Sequence, residues 1–331
     1  MTATVVGLGK LGAPLAACLA SKGYSVVGVD VDPAKVRAVN EGRAPVSETG
    51  LGEMVAANRG RLRATEDLSA AAAEGEIIFI VVATPSEADG SFSLRYVLPA
   101  CERIGAALRG RGGRPLVVLT STVLPGSTGG PVREALERAS GGRAGREFGL
   151  CYSPEFIALG SVIRDFLNPD FVLIGESDPE SGAQLEELYR RVCDNAPRAA
   201  RMNFVNAELT KISLNTFVTT KIAFANMIAR LCERLPGADV DVVTGAIGLD
   251  TRIGGKYLKG AVSYGGPCFP RDNRALAALA RQVGASAGLA EATDRLNLSH
   301  VQGLAEVVKA RLRPGGVVGV LGLSYKPNTD V

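Results

Sequence analysis

The sequence predicts an α/β protein in which a doubly wound parallel sheet precedes a helical domain. Three observations support this prediction. Short β-branched runs alternate with segments of helical spacing over the first half of the 331 residues, the pattern becomes almost entirely helical after about residue 200, and strand character returns near the C-terminus. These changes predict domains at residues 1–200, 201–312 and 313–331, the third beginning a second α/β domain with its first strand and lacking the remainder.

Five apolar runs predict the strands of the sheet. In chain order they are ATVVGLG, YSVVGVD, EIIFIVVAT, RPLVVLTST and FVLIGE. Helical spacing occurs around residues 10–22, 33–41, 95–109 and 127–139. Continuous apolar strands connected by helices indicate a parallel sheet that is covered on both faces.

The longest helical segment follows, at residues 206–235. It is apolar around most of its circumference, which predicts a helix buried in a domain core or in a subunit interface. We therefore expect a homodimer whose central domain serves dimerisation.

Composition excludes several classes of protein. The net charge is only +3, acidic and basic residues are interleaved, and RGRGGR at 109–114 is interpreted as a solvated loop, so no nucleic-acid partner is expected. No run of eighteen apolar residues exists, so no membrane span is expected.

Unpaired cysteine spacing and the absence of a signal-peptide pattern predict a reduced, cytoplasmic protein. His300 is the only histidine, which removes histidine triads and multi-histidine metal sites, so no metal is expected.

GLGKLG at residues 7–12 predicts a dinucleotide site of the Rossmann type. Gly7 would allow the tight turn, Gly9 would let a pyrophosphate approach the backbone, and Gly12 would let the helix pack on the strand. The next strand ends in Asp30, where a carboxylate can accept hydrogen bonds from the ribose hydroxyls and would repel a 2′-phosphate. The pattern favours NAD over NADP.

Cys268 lies just before a predicted helix that has Pro270 as its first residue and Asp272 in its first turn. The partial positive charge of a helix N-terminus stabilises thiolate. Gly265 and Gly266 leave room for a molecule to approach the sulfur. A buried structural cysteine is the ordinary alternative.

Lys211 and Asn215 are four residues apart on the long helix and share one face among apolar residues. A lysine there can stabilise an oxyanion or, once deprotonated, accept a proton. The alternative is a surface lysine at a helix edge.

Many ordered motifs resemble those of the UDP-glucose/GDP-mannose 6-dehydrogenases, NAD-dependent enzymes that oxidise a sugar C6 alcohol twice to a carboxylate. They are GLGKLG, PVSETGL, VVATPSEADGS, STVLPGST, SPEFIALGSVIRDFLNPDFVLIG, AELTKISLNTF, IGLDTRIGGKYL, GGPCFPRD and GLSYKPNTD. The resemblance covers essentially the whole chain and is closest in motif to the UDP-glucose branch. It implies a nucleotide-sugar substrate, UDP-glucose before others.

The resemblance also implies catalytic roles. Cys268 would be the nucleophile, adding to the aldehyde formed first and leaving a thioester for hydrolysis. Lys211 and Asn215 would stabilise the oxyanion, and Asp272 and Glu155 would handle water and protons. These roles come from the family's motif positions.

Further positions are implied in the same way. Thr122 would hydrogen-bond near the reacting oxygen, and Arg252 would reach the nucleotide sugar across the dimer. The implied cofactor-binding residues are Gly7, Gly9, Leu11, Gly12, Asp30, Lys35, Thr84, Pro85, Ser121 and Arg271. The implied substrate-binding residues are Phe156, Leu159, Arg252, Tyr257 and Gly265.

Five positions depart from the family pattern. Leu159 stands where a second glutamate is expected, which affects hydrolysis or sugar binding. Arg271 replaces a lysine and keeps its charge, Pro267 and Ser93 replace a serine and an aspartate, and Ser263 replaces a glycine. A divergent substrate explains these changes better than lost activity, because the thiol and its neighbours remain.

Two other functions stay open from the residues alone. A two-electron β-hydroxyacid-type dehydrogenase also uses a helix lysine and asparagine, with no need for Cys268. A non-catalytic NAD-binding or assembly module would need none of these side chains for chemistry.

Overall fold

The computed structural model describes residues 1–326 and residue 329. Contacts divide the chain into two units. The first consists mainly of Met1–Pro85 and Phe92–Lys211, and the second of Ser86–Ser91 and Ile212–Tyr325.

One sheet of eight strands forms the centre of the first unit within the described residues. The strands are β1 Thr2–Val6, β2 Ser25–Val29, β3 Leu62–Thr65, β4 Ile77–Ile80, β5 Leu116–Leu119, β6 Gly149–Tyr152, β7 Phe171–Glu176 and β8 Arg198–Met202. Their spatial order is β3-β2-β1-β4-β5-β6-β7-β8. The order reverses between β1 and β4, and in doubly wound sheets ligands bind at the carboxyl ends of the strands beside such a point.

Helices cover both faces of this sheet. They are α1 Gly12–Ser21, α2 Pro33–Asn40, α3 Leu51–Ala57, α4 Leu68–Glu74, α5 Val97–Leu108, α6 Arg133–Ser140, α7 Val162–Leu167 and α8 Pro179–Val192, with a π-helical turn at Thr128–Val132 before α6. Two separate cores result, one containing Leu15 and Leu188 and the other containing Ile104 and Leu136. The predicted α/β fold class is confirmed.

Three strands and one strand direction were missed by the sequence patterns. In β3 and β8, charged and small residues interrupt the apolar run, so neither sequence resembles a buried strand. The fully buried β6 is only four residues long. β6 and β7 pair antiparallel, whereas the other six neighbouring pairs are parallel.

The second unit is helical. The long helix α9, Phe204–Cys232, begins in the first unit, and its residues from Ile212 onward belong to the second. The remaining helices are α10 Val240–Gly248, α11 Phe269–Gln282 and α12 Gly288–Arg311. In the described part of the chain no helix combines the length and the apolar character needed to cross a bilayer.

Helix α9 is only partly covered by this chain. Ile212 and Ala225 are buried, but Phe217, Phe224 and Leu231 are 66%, 39% and 52% exposed. These three residues are seven apart and therefore lie on one face. Of the two environments predicted for the helix, a domain core accounts for one face, and the face that carries these three residues is exposed in this chain.

Residues 312–326 form neither helix nor strand. The strand predicted near the C-terminus lies mostly in this stretch, and among the described residues no neighbouring strand shares hydrogen bonds with it. The rest of that prediction includes residues 327, 328, 330 and 331, which lie outside the described residues.

Candidate active site

The turn between β1 and α1 has the geometry of a dinucleotide-binding loop. Gly7 has φ +102°, and a Cβ there would lie 2.5 Å from the carbonyl oxygen of Val81. A Cβ on Gly12 would lie 1.8 Å from the Gly7 oxygen, whereas a Cβ on Gly9 would meet nothing within 4 Å. Gly7 and Gly12 are thus required by packing, and Gly9 leaves open space where a pyrophosphate can approach the backbone.

Asp30 directly follows β2 and is 9% exposed. Its Oδ2 accepts a hydrogen bond from the Leu8 amide at 2.7 Å and lies 3.4 Å from Lys35 Nζ, and its Oδ1 accepts from the Asp32 amide at 2.9 Å. Two backbone donors fix the carboxylate, which has lone pairs remaining for ribose hydroxyls. Together with the open space at Gly9, this arrangement fits a dinucleotide.

A substitution at Gly9 can distinguish an effect on NAD binding from an effect on folding stability. Replacing Gly9 by Val should leave the thermal midpoint nearly unchanged, because the new side chain enters open space. It should raise the dissociation constant for NAD about 100-fold, which corresponds to roughly 2.7 kcal/mol. Calorimetric titration and thermal unfolding measure the two effects. Gly12→Val is the contrast: its clash with Gly7 should lower the midpoint, and a stable Gly12→Val protein would contradict this reading of the loop.

Hydrogen bonds connect the loop that follows β4 to the loop that follows β5. Thr84 Oγ1 donates to the carbonyl oxygen of Thr122 at 2.8 Å, and Ser121 Oγ donates to that of Val82 at 2.6 Å. Thr84 and Ser121 are buried, and Pro85 is partly buried. Three predicted cofactor positions and Thr122 are therefore brought together at the carboxyl edge of the sheet, beside the reversal of strand order.

Lys211 is 8% exposed. Its Nζ donates to the backbone carbonyl oxygen of Glu155 at 2.5 Å and lies 4.5 Å from the centre of the Phe156 ring. An aromatic face and a carbonyl oxygen both stabilise an ammonium group. The structure therefore brings together three of the predicted site residues in the first unit.

The carboxylate of Glu155 turns toward the interior of the first unit. Its Oε2 is buried and accepts no hydrogen bond from the described residues. Burial raises the pKa of Glu155 to about 8, and the nearby Lys211 charge lowers it in part. Burial, followed by the charge of Glu155, also raises the pKa of the Cys18 thiol, which places the carboxylate near that core residue. Glu155 adjoins a cavity of about 30 Å³, enough for one water molecule.

The raised pKa of Glu155 predicts a pH-dependent stability. Between its ordinary value of 4.5 and about 8, the folded chain retains a proton that the unfolded chain has lost. The free energy of unfolding should therefore fall as pH rises through this window, by at most about 1.4 kcal/mol per pH unit. Urea unfolding of Glu155→Gln across the same window should lack this component. An unchanged slope in the variant would show that another group causes the pH dependence.

Cys268 is the N-cap residue of α11 and is exposed. Its carbonyl oxygen accepts the first helical hydrogen bond, from the Asp272 amide at 2.9 Å. Phe269 is the first helical residue, so the prediction that Pro270 holds this position is wrong by one residue. Proline is tolerated at either position because the first-turn amides have no partner within the helix.

Asp272 is 1% exposed and links two helices of the second unit. Asn215 Nδ2 donates to its Oδ2 at 2.6 Å, and Arg271 Nε lies 3.4 Å from its Oδ1. Asn215 and Asp272 are thus held together, with a guanidinium beside the carboxyl group. Arg271 is a predicted cofactor residue, and in this structure its guanidinium group forms an ion pair with Asp272.

Gly265 is exposed, and Gly266 has φ +79°. The room beside Gly266 is taken by Tyr325, whose Cε2 would lie 2.7 Å from a Cβ at that position. Sequence reasoning missed this aromatic residue as a neighbour of the loop that carries Cys268. The motif GLSYKPNTD was the available signal, but a distant contact cannot be read from it.

The remaining predicted substrate residues lie on loops. Leu159 is partly exposed, and Arg252 is extensively exposed and pairs with Asp250 at 2.6 Å. Tyr257 is 54% exposed with φ +62°.

Glu208 is a further residue that the patterns missed. It is completely buried, and its two carboxylate oxygens accept hydrogen bonds from the amides of Gly126 at 2.6 Å and Thr128 at 2.7 Å. It thereby fixes the loop after Thr122 to the helix of Lys211. The sequence feature that could have indicated Glu208 is a carboxylate within an otherwise apolar helix.

Comparisons with known proteins agree with this geometry. Residues 1–193 match the NAD binding domain of the UDP-glucose/GDP-mannose dehydrogenase family, and residues 194–299 match its central domain. UDP-glucose 6-dehydrogenase AglM of Haloferax volcanii is 35% identical over 334 residues, covering 100% of this chain and 77% of that protein. GDP-mannose 6-dehydrogenase of Azotobacter vinelandii is 35% identical over 334 residues, covering 100% and 75%. A UDP-glucose dehydrogenase structure from Pyrobaculum islandicum has a TM-score of 0.87 at 36% identity, covering 94% of this chain and 72% of that one.

Proposed function

Because the chain belongs to the UDP-glucose/GDP-mannose dehydrogenase family, we propose that it oxidises the C6 hydroxymethyl group of a nucleotide sugar to a carboxylate. The family's NAD-binding domain covers residues 1–193, and NAD is the cofactor. The observation that carries the proposal is the exposed Cys268 at the start of α11, with Asp272 and Asn215 paired behind it. The proposed sugar nucleotide is UDP-glucose, supported by the motif pattern and by the Pyrobaculum islandicum structure.

The reaction removes four electrons in two steps. The alcohol first loses a hydride and a proton to give an aldehyde. The Cys268 sulfur then adds to the aldehyde carbon, and loss of a second hydride and proton converts this thiohemiacetal into a thioester. Water cleaves the thioester to release the carboxylate and restore the thiol. NAD held by the Gly7–Gly12 loop and Asp30 would accept the hydride, with one NAD molecule consumed in each of the two oxidations.

Each polar side chain has a proposed task. Lys211 and Asn215 stabilise negative charge on the oxygen bound to the reacting carbon. Asp272 and Glu155 hold and move protons and water, and Thr122 hydrogen-bonds near the C6 oxygen. Asp30 favours NAD because a 2′-phosphate beside this carboxylate would be repelled.

The proposed substrate contacts are Phe156, Leu159, Arg252, Tyr257 and Gly265. We assign Arg252 to the substrate of a second copy of the chain, which agrees with its exposure. The proposed homodimer uses the α9 face that carries Phe217, Phe224 and Leu231, because exposed apolar residues at this spacing form helix interfaces.

NADH counting tests the proposal. The protein is incubated with NAD and, separately, with UDP-glucose, UDP-galactose, GDP-mannose and N-acetylated sugar nucleotides. Since an alcohol-to-carboxylate oxidation transfers four electrons, the true substrate should yield two NADH per sugar. A yield of one NADH per sugar would indicate a two-electron dehydrogenase, and no reduction with any member of the panel would contradict the proposal.

A further inference from the structure

The segment that leads to Cys268 lacks regular structure. Residues 261–265 form neither helix nor strand, so their backbone groups need side chains or water as hydrogen-bond partners. Gly265 and Gly266 follow, and glycine permits many backbone conformations. Helix α11 holds the chain on the C-terminal side of Cys268, so its position on the other side depends on what holds the chain before these glycines.

Asn297 on α12 holds the backbone at Tyr264. Its Oδ1 accepts from the Tyr264 amide at 2.9 Å, and its Nδ2 donates to the Tyr264 carbonyl oxygen at 2.9 Å. Ser263 Oγ returns a hydrogen bond to the Asn297 carbonyl oxygen at 2.8 Å. Asn297 is 8% exposed, so this pairing takes place away from bulk water, where an unpaired peptide group is costly.

Tyr264 is also fixed through its side chain. Its hydroxyl donates to Asp294 and accepts from Asn273 Nδ2 at 3.1 Å. Its ring packs edge-on against Phe269, with ring centres 6.2 Å apart. Phe269 directly follows Cys268, and Asn273 directly follows Asp272. Tyr264 is thus anchored at both ends and contacts the residue beside the thiol.

We propose that Asn297 is a positioning residue that sets the place of the Cys268 sulfur by holding Tyr264. The expected loss of catalysis rests on the proposed function. The effect of Asn297 on the position of the Cys268 sulfur does not. Because Asn297 pairs with both the backbone N–H and the backbone carbonyl of Tyr264, it fixes the two peptide groups that flank this residue, and changes in its side chain alter the start of the Gly265–Gly266 segment. The thiol would then no longer meet the aldehyde carbon correctly.

Asn297→Ala, Asn297→Asp and a matched control, Thr293→Val, test the inference. Thr293 lies on the same helix and is 2% exposed, but its hydroxyl bonds to Thr220 and not to the segment before Cys268. Two readouts apply: the rate of Cys268 alkylation by iodoacetamide, followed by mass spectrometry, and the release of free aldehyde, trapped with hydroxylamine. Asn297→Ala should alter the alkylation rate several-fold and release trapped aldehyde. Its kcat for carboxylate should fall about 100-fold, as for a misplacement of roughly 1 Å.

Asn297→Asp keeps the size of the side chain and the acceptor for the Tyr264 amide but loses the donor to the Tyr264 carbonyl oxygen, so it serves if Asn297→Ala does not fold. It should show the same effects to a smaller degree. Alkylation rates and aldehyde release within about twofold of Thr293→Val in both variants would overturn the inference. Alkylation needs no sugar, so the geometric claim is decided even if the wild-type protein oxidises none of the sugar nucleotides.

Discussion

Replacing Cys268 by alanine is expected to lower the rate of carboxylate formation by at least about 1,000-fold, as for other essential nucleophiles. The sulfur is the only atom in the proposed chemistry that holds the substrate covalently between the two oxidations. The dissociation constant for NAD should not change, because the phosphate loop and Asp30 belong to the first unit. NADH formation and carboxylate yield are measured together.

Cys232→Ala is the matched control, because Cys232 is also partly accessible but lies at the end of α9. It should retain wild-type activity. A Cys268→Ala protein that keeps full turnover with one NADH per substrate would indicate the β-hydroxyacid type of dehydrogenase. If wild-type Cys268 shows ordinary reactivity toward alkylating reagents and no protection by NAD, a non-catalytic module is favoured.

Sequence patterns predicted the parts of the fold whose signals are local. The β1 turn with Gly7, Gly9 and Gly12 and the carboxylate at the end of β2 occur where the patterns place them, because strand, turn and helix signals there are contiguous. β3 and β8 were missed since their sequences contain charged residues at the sheet edges. Antiparallel pairing of β6 with β7 was missed because pairing direction depends on partners far along the chain.

In the candidate site too, features with local sequence signals could be predicted, whereas contacts between distant segments could not. Residue types such as Cys268 and Lys211 could be selected from motifs, but the direction of a side chain could not. The Glu155 carboxylate turns into the core, while its carbonyl oxygen faces Lys211. Contacts between distant segments, such as Asn215 with Asp272 or Asn297 with Tyr264, follow from helix packing that no local pattern reports.

Replacing Lys211 by methionine is expected to lower kcat by about 100- to 1,000-fold, the usual cost of removing one stabilising donor from an oxyanion. Methionine has a similar length and tolerates the Phe156 ring, so the first unit should remain folded. The KM for NAD should change little, because Lys211 contacts the Glu155 carbonyl oxygen and the Phe156 ring, and neither residue belongs to the phosphate loop. Steady-state kinetics with the substrate found by NADH counting measure both quantities.

Lys221→Met is the control that distinguishes a catalytic role of Lys211 from a structural one. Lys221 lies on the same helix and also donates to backbone carbonyl oxygens, those of Ile253 at 3.1 Å and Gly254 at 3.0 Å. If Lys211 acted only as a donor to the Glu155 carbonyl, both variants would lose stability and keep kcat. A loss of kcat confined to Lys211→Met instead requires that its ammonium acts on the reacting oxygen. Lys211→Arg should recover only part of the rate, because a planar guanidinium retains the charge but cannot occupy the same point.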